Sequence, residues 1–207
     1  MKGQKDIEKD NTELKIRLAA KELFTAKGFK GTTVRDVAKK ADVNIALVNY
    51  YFRSKEKLFK AIFEENTKEY FLLIQDIVQS EGLTLEERIK RYVSTVMDQL
   101  VQNPQLPMFI LQEMHQNPEL FLDKKRMDCT RIAQSLLTRH KDEISPEKLS
   151  NIDVIQLEAS ISSLIVFPLV SKVIMMKVHD LDEAEYHNLM EQRKEIITDM
   201  IISYLKS

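Results

Sequence analysis

Four histidines, one cysteine and four glycines are the residues whose spacing could spell catalysis or metal binding, and they spell neither. His115, His140, His179 and His187 form no H-E-x-x-H turn and have no paired cysteines beside them, so no zinc site is expected. Gly3, Gly28, Gly31 and Gly82 make no phosphate-cradling loop, and no G-x-S-x-G elbow is present. Cys129 stands among polar neighbours without a base and reads as an ordinary thiol. The carboxylates are scattered as a solvated face scatters them. The expectation is a protein that is not an enzyme and needs no cofactor. What remains is the chemistry of charge. Residues 1–60 hold 15 Lys or Arg against 8 Asp or Glu, and residues 61–207 hold 16 against 24, although the whole chain carries only −1. A basic end can replace the counterions of a polyanion, and an acidic body is repelled by it. A charged surface that is merely solvated is the competing reading.

The elements that must position those cations centre on the stretch from Thr33 to Leu58. Val34, Val37 and Ala38 repeat at i, i+3, i+4, and Val48, Tyr51 and Phe52 do so again. Two short helices therefore share a small core, with residues 39–43 between them as the turn. Thr33 and Asp36 have the spacing of a capping box, and Asn44 is placed to cap the second helix. This is the pattern of a helix-turn-helix that reads DNA. Tyr51 and Phe52 read as core residues.

Around that stretch the chain reads as helix throughout. Residues 1–10 are a polar tail, and an amphipathic helix begins near Thr12, carried by Ile16, Ala19, Ala20, Leu23 and Phe24 and stopped at Gly28. A long fourth helix is expected from Ser54 to Gln79, and a fifth from Leu85 to Gln102 behind the box Thr84 and Glu87. Asn103-Pro104 and Asn117-Pro118 bracket a short segment, each pair read as a helix start. One helix is expected from Pro118 to about Lys141. After Ser145-Pro146 two more follow, from Ile152 to Val178, bent or divided by Pro168, and from Asp182 to Lys206. The terminal pair is apolar enough to make a four-helix interface with a second copy, or else to form the core of one chain.

From Val43 to Leu58 the sequence VNIALVNYYFRSKEKL resembles the TetR family of transcriptional regulators, the ending Tyr51-Phe52-x-Ser54-Lys55-Glu56-x-Leu58 being the most specific part. The resemblance covers residues 12–60. It implies an all-α homodimer in which an N-terminal three-helix DNA-binding domain, residues 1–53, is joined by a long fourth helix to a C-terminal helical ligand-binding and dimerisation domain, residues 54–207. It also implies phosphate contacts at Thr33 and Lys55. Arg35 and Lys39 are further phosphate candidates. Asn44, Ile45, Ala46, Leu47, Asn49 and Tyr50 face outward if Val48, Tyr51 and Phe52 face inward, and would meet base edges. An asparagine can pair with adenine and an apolar side chain with a thymine methyl, so Ile45 and Asn49 suggest an A·T-containing half-site. The chain departs from the family pattern at Asp42, Leu47 and Asn49, where a turn glycine, a small hydroxyl residue and a tyrosine are usual.

The function expected is that of a sequence-specific, ligand-responsive homodimeric repressor. Its two recognition helices would enter successive major grooves about 34–36 Å apart on a near-palindromic operator. A small apolar or amphipathic effector could be held by Met97, Phe109, Met114, Met127 and Phe167, with His115 and Cys129 as polar candidates to orient it, though the same apolar residues would equally fill a solid core. Two alternatives stay open. One is a helical protein-interaction adaptor without sequence-specific DNA binding, favoured by the lack of a basic residue between Asn44 and Tyr51, and the other is an enzyme in the C-terminal body. The polar N-terminus and the interruption of the apolar stretch 164–176 by Pro168, Ser171 and Lys172 lead us to expect a cytoplasmic protein with no membrane segment.

Overall fold

The computed structural model describes residues 2–121 and 131–207, with side chains from residue 11 onward except at 120. Every regular element in the described residues is helical: α1 (Lys2–Lys27), α2 (Val34–Lys40), α3 (Ile45–Phe52), α4 (Lys55–Gln79), α5 (Leu85–Gln102), α6 (Leu106–Gln116), a 3-10 turn (Pro118–Phe121), α7 (Ile132–Arg139), α8 (Pro146–Asn151), α9 (Val154–Val170), α10 (Lys172–Val178) and α11 (Glu183–Lys206). Contacts divide them into one unit of residues 1–69 and 108–120 and another of 70–107 and 121–207.

In the first unit α1, α2 and α3 close over Ile16, Ala20, Phe24, Val37, Ala38, Val48 and Phe52, all buried. Residues 54–69 and 108–120 join it because aromatic rings run on from that core. Phe24 meets Phe59 edge-on at 4.9 Å, and Phe109 lies 5.6 Å from Phe63. The carboxylate of Glu113, fully buried, accepts the Phe29 N–H at 3.3 Å and the Asn117 amide at 2.5 Å. Gly28 ends α1 at φ +67, and a Cβ there would stand 2.1 Å from the side-chain nitrogen of Gln112. Gly28→Ala is expected to cost about 1–2 kcal/mol for the left-handed backbone, read by urea unfolding. Truncating Gln112 in the same background should recover little of it, since Gln112 can move and the backbone cannot.

The second unit is built on α5, which packs against α9 and most extensively against α11. Leu85, Ile89, Val93, Val96, Met97 and Leu100 make its buried stripe, completed by Leu136, Ile161, Ile165, Ile197 and Ile201. Arg88, only 2% exposed, lies on the same stripe. Its guanidinium donates to the carbonyls of Ile77, Val78 and Ser80 at the end of α4 and through Nε to His140 Nε2 at 2.8 Å. His140 Nδ1 pairs with Glu143 at 2.6 Å, and Glu143 accepts the Leu85 N–H at 2.9 Å. Burial works against the Glu143 charge, but the Leu85 N–H, His140 and Lys206 outweigh it and hold its carboxyl below the usual range.

Several boundaries differ from the expectation. The backbone of α1 is already helical at Lys2, where a tail was expected. Asn103-Pro104 lies in the turn after α5, with Asn103 as its C-cap. In place of one helix from Pro118 to Lys141 the described residues show a 3-10 turn and the short α7. The helix expected from Ile152, bent or divided at Pro168, is divided into α9 and α10, which meet at 64° across Ser171, three residues beyond the proline. Pro168 cannot donate to the Leu164 carbonyl, and Arg193 of α11 donates to that oxygen instead, from Nε at 3.1 Å and Nη2 at 3.0 Å. The carbonyl of Pro168 accepts the Tyr186 hydroxyl at 3.1 Å. Among the described residues no single helix is long and apolar enough to cross a membrane.

Candidate nucleic-acid interface

The turn between α2 and α3 is a Schellman closure. The Val43 N–H reaches Ala38 O at 3.0 Å and the Asp42 N–H reaches Lys39 O at 3.3 Å, with Asp42 left-handed at φ 54. That geometry explains the glycine usual in this place and why an aspartate, tolerant of the left-handed region, can stand in for it. Asn44 then starts α3 by accepting the Leu47 N–H at 2.8 Å, leaving its amide nitrogen outside the cap. Val48 and Phe52 are buried and Tyr51 is half-buried, so the opposite face is open. Ile45, Ala46, Asn49 and Tyr50 are exposed there together with Asn44, and Tyr50 is the most accessible apolar surface, at 65%. Leu47 is half-buried at the edge of the group.

Thr33 is the N-cap of α2, and its box is reciprocal. The Thr33 hydroxyl accepts the Asp36 N–H at 3.2 Å, while Asp36 Oδ2 accepts the Thr33 N–H at 2.9 Å and the hydroxyl at 2.6 Å. Those bonds, the side-chain one first, hold the Asp36 carboxyl below its usual range. A phosphate approaching Thr33 therefore competes with a carboxylate already in place. Lys55 is engaged as well. Its ammonium donates to Thr32 O at 2.9 Å and sits 4.0 Å from the centroid of the Phe29 ring, tying the first residue of α4 to the loop before α2. Arg35 and Lys39 point outward from α2.

Residues 16–62, which contain all of this geometry, match the model of the family described as bacterial regulatory proteins, tetR family. Residues 16–62 are thus similar to a tetR-family N-terminal domain. Similar proteins include a probable HTH-type transcriptional regulator, YttP, of Bacillus subtilis (strain 168), 32% identical over 107 residues. Another is the HTH-type transcriptional repressor NicS of Pseudomonas putida, 27% identical over 115 residues. Those alignments take in 51% and 55% of this chain, and the chain spans about half the length of each relative, 52% and 54%. In fold the chain resembles the hemolysin II transcriptional regulator HlyIIR, with a TM-score of 0.61 at 20% identity over 96% of this chain and 99% of that one. It also resembles the regulator PfmR of Thermus thermophilus, with 0.61 at 19% over 93% and 99%.

Two cations of the tetR-family domain are read more fully from the structure than from the sequence. Arg53 caps α3 at φ 65, exposed, in a backbone conformation that side-chain-bearing residues rarely adopt. Its clue in the sequence was only its place after Phe52. Lys55 was legible as a cation at the start of α4, but its bond to Thr32 was not.

Among the described residues the effector candidates are divided between the two units. Met97 is buried in the second unit's core, and Phe109 in the first unit's aromatic cluster. Met114 and His115 are exposed on α6, and Phe167 is 66% exposed on α9. Met127 and Cys129 lie outside the described residues.

Proposed function

We propose that this chain is a transcriptional regulator of the tetR family that binds a near-palindromic operator as a homodimer and is released by a small effector. The observation that carries the reading is the α3 face on which Asn44, Ile45, Ala46, Asn49 and Tyr50 stand exposed on a doubly capped helix-turn-helix. A helix whose outward face is amide, methyl and phenol surface reads bases by bidentate amide bonds and by contact with thymine methyls. Affinity then comes from the cations flanking it: Arg35 and Lys39 on α2, Arg53 at the end of α3, and Lys55, with Thr33 as a further phosphate contact.

Dimerisation through the terminal helices is supported by apolar side chains left open on them. Ile196 and Met200 are 51% exposed and Tyr204 47% on α11, with Ile155 at 77% on α9. The domain split at residue 53 is proposed as a functional one, between the DNA-reading helices and the rest. The effector reading rests on α4, whose residues are shared between the two units, as the element both sites would bias.

Selection of bound duplexes from a random pool is the test. Recovery of a near-palindrome with A·T pairs in each half-site is expected, and Asn49→Ala should relax the preference at one position per half-site at a cost of about 1–3 kcal/mol. A pool that shows salt-dependent binding with no enriched sequence would sink the operator reading. An uncharged recognition face is also what an adaptor would have, and such a pool would favour that reading.

A further inference from the structure

The break between α9 and α10 leaves a cleft of about 190 Å3 within the second unit, against the end of α5 and the start of α11. Its floor is apolar and fixed: Leu100, Tyr186 and Met190 are 2%, 5% and 1% exposed. The Tyr186 ring is pinned by its hydroxyl bond to Pro168 O, so one wall cannot swing away. On the rim stand Lys172, Glu183 and His187. The Lys172 ammonium lies 5.0 Å from the centre of the Tyr186 ring and 2.7 Å from Glu183 Oε2. The two partners are held unequally. The Lys172 side chain is 33% exposed and seated on the ring, whereas that of Glu183 is 75% exposed.

We propose that this cleft binds a short-chain carboxylate whose headgroup pairs with Lys172 in place of Glu183. A carboxylate already occupies the position, which shows that the group fits. Glu183 loses little by moving into water, since an exposed ion pair is worth at most about 1 kcal/mol. The incoming molecule gains burial of its alkyl chain on Leu100 and Met190. The other carboxylates at the start of α11 do not compete for Lys172, because Asp182 and Glu185 accept each other's backbone N–H at 2.8 Å. A cleft of about 190 Å3 admits a chain of a few carbons. On α11 the rim residues Glu183 and His187 point about 100° or more away from the open residues Leu189, Ile196 and Met200 at the helical repeat. A partner covering the second set leaves the cleft accessible.

The test uses the full chain without DNA, so it stands or falls apart from the operator reading. The methyl group of Met190, carbon-13 labelled and assigned by Met190→Leu, reports on titration with hexanoate, 1-hexanol or hexylammonium. Hexanoate is expected to shift it saturably and to bind at least tenfold tighter than 1-hexanol. Lys172→Met should weaken hexanoate tenfold or more, with the other methionine methyls unmoved, and Glu183→Gln should tighten it severalfold by removing the internal competitor. The proposal is overturned by no saturable shift, by equal binding of the alcohol, by preference for the ammonium, or by a Glu183→Gln protein that binds hexanoate no better.

Discussion

Replacing Arg88 with methionine is expected to lower the free energy of unfolding by about 3–5 kcal/mol, the largest loss of any single exchange proposed for this chain. The guanidinium is 2% exposed and donates to three main-chain carbonyls at the end of α4 and to the ring of His140. Methionine fills most of the space and supplies none of the donors. The part-buried Ser80 carbonyl and the buried His140 Nε2 would then lose this donor, each costing about 1–3 kcal/mol, and the Ile77 and Val78 carbonyls would keep only the hydroxyls of Ser80 and Ser135. The cation also faces the negative end of a helix, a term methionine removes. Arg91 is the control: its guanidinium is 46% exposed and pairs with Asp76 at 2.7 Å, so Arg91→Met should cost less than about 1 kcal/mol. Urea unfolding measures both, and an Arg88 loss no greater than that of Arg91 would refute the account.

Lys55→Met is expected to reduce operator affinity by about 10–100-fold, with a smaller loss of stability of about 1–3 kcal/mol from the charged bond to Thr32 O. Methionine keeps an apolar stem beside Phe29, so the aromatic cluster stays covered. Two effects are combined in that affinity, and salt separates them. If the ammonium touches phosphate, the slope of log affinity against log salt falls by about one. If Lys55 acts only by holding the loop before α2, affinity falls and the slope stays. The bond to Thr32 leaves two of the three ammonium donors for a phosphate, so the smaller slope is the expected result.

The parts of the fold that were legible are those whose causes are local. Thr33 with Asp36 and Thr84 with Glu87 place helix starts by spacing alone, and both boxes are formed. The i, i+3, i+4 stripe bounded α5 at Leu85 and Gln102, where the structure has it. Asparagine before proline was weaker evidence, because Asn103 closes a helix here by donating to Gln99 O, which its position beside Pro104 does not reveal. Arg88 looked like one more charged residue on an amphipathic helix. Its burial depends on carbonyls at Ile77, Val78 and Ser80 and on His140, far along the chain. The reading face was legible for the same local reason as its helix, since Val48 and Phe52 can be buried only if Asn49 and Tyr50 are not. The effector candidates were chosen by residue type, and type does not say whether Met97 lines a space or fills one; at 0% exposure it is packed.

The contacts that accommodate Pro168 act together as a ruler. Leu164 and Pro168 lie one turn apart on α9, and Arg193 and Tyr186 meet their carbonyls in the reverse order along α11. Sliding α11 by a single turn would strand both oxygens at once, so the register of the antiparallel pair is set by a proline that carries no charge and donates no bond. A graft that carries α9 into another helical scaffold must bring Tyr186 and Arg193 with it. Replacing Pro168 by alanine would return the Leu164 carbonyl to its own helix and free Arg193, loosening the alignment of the two helices that the terminal apolar face depends on.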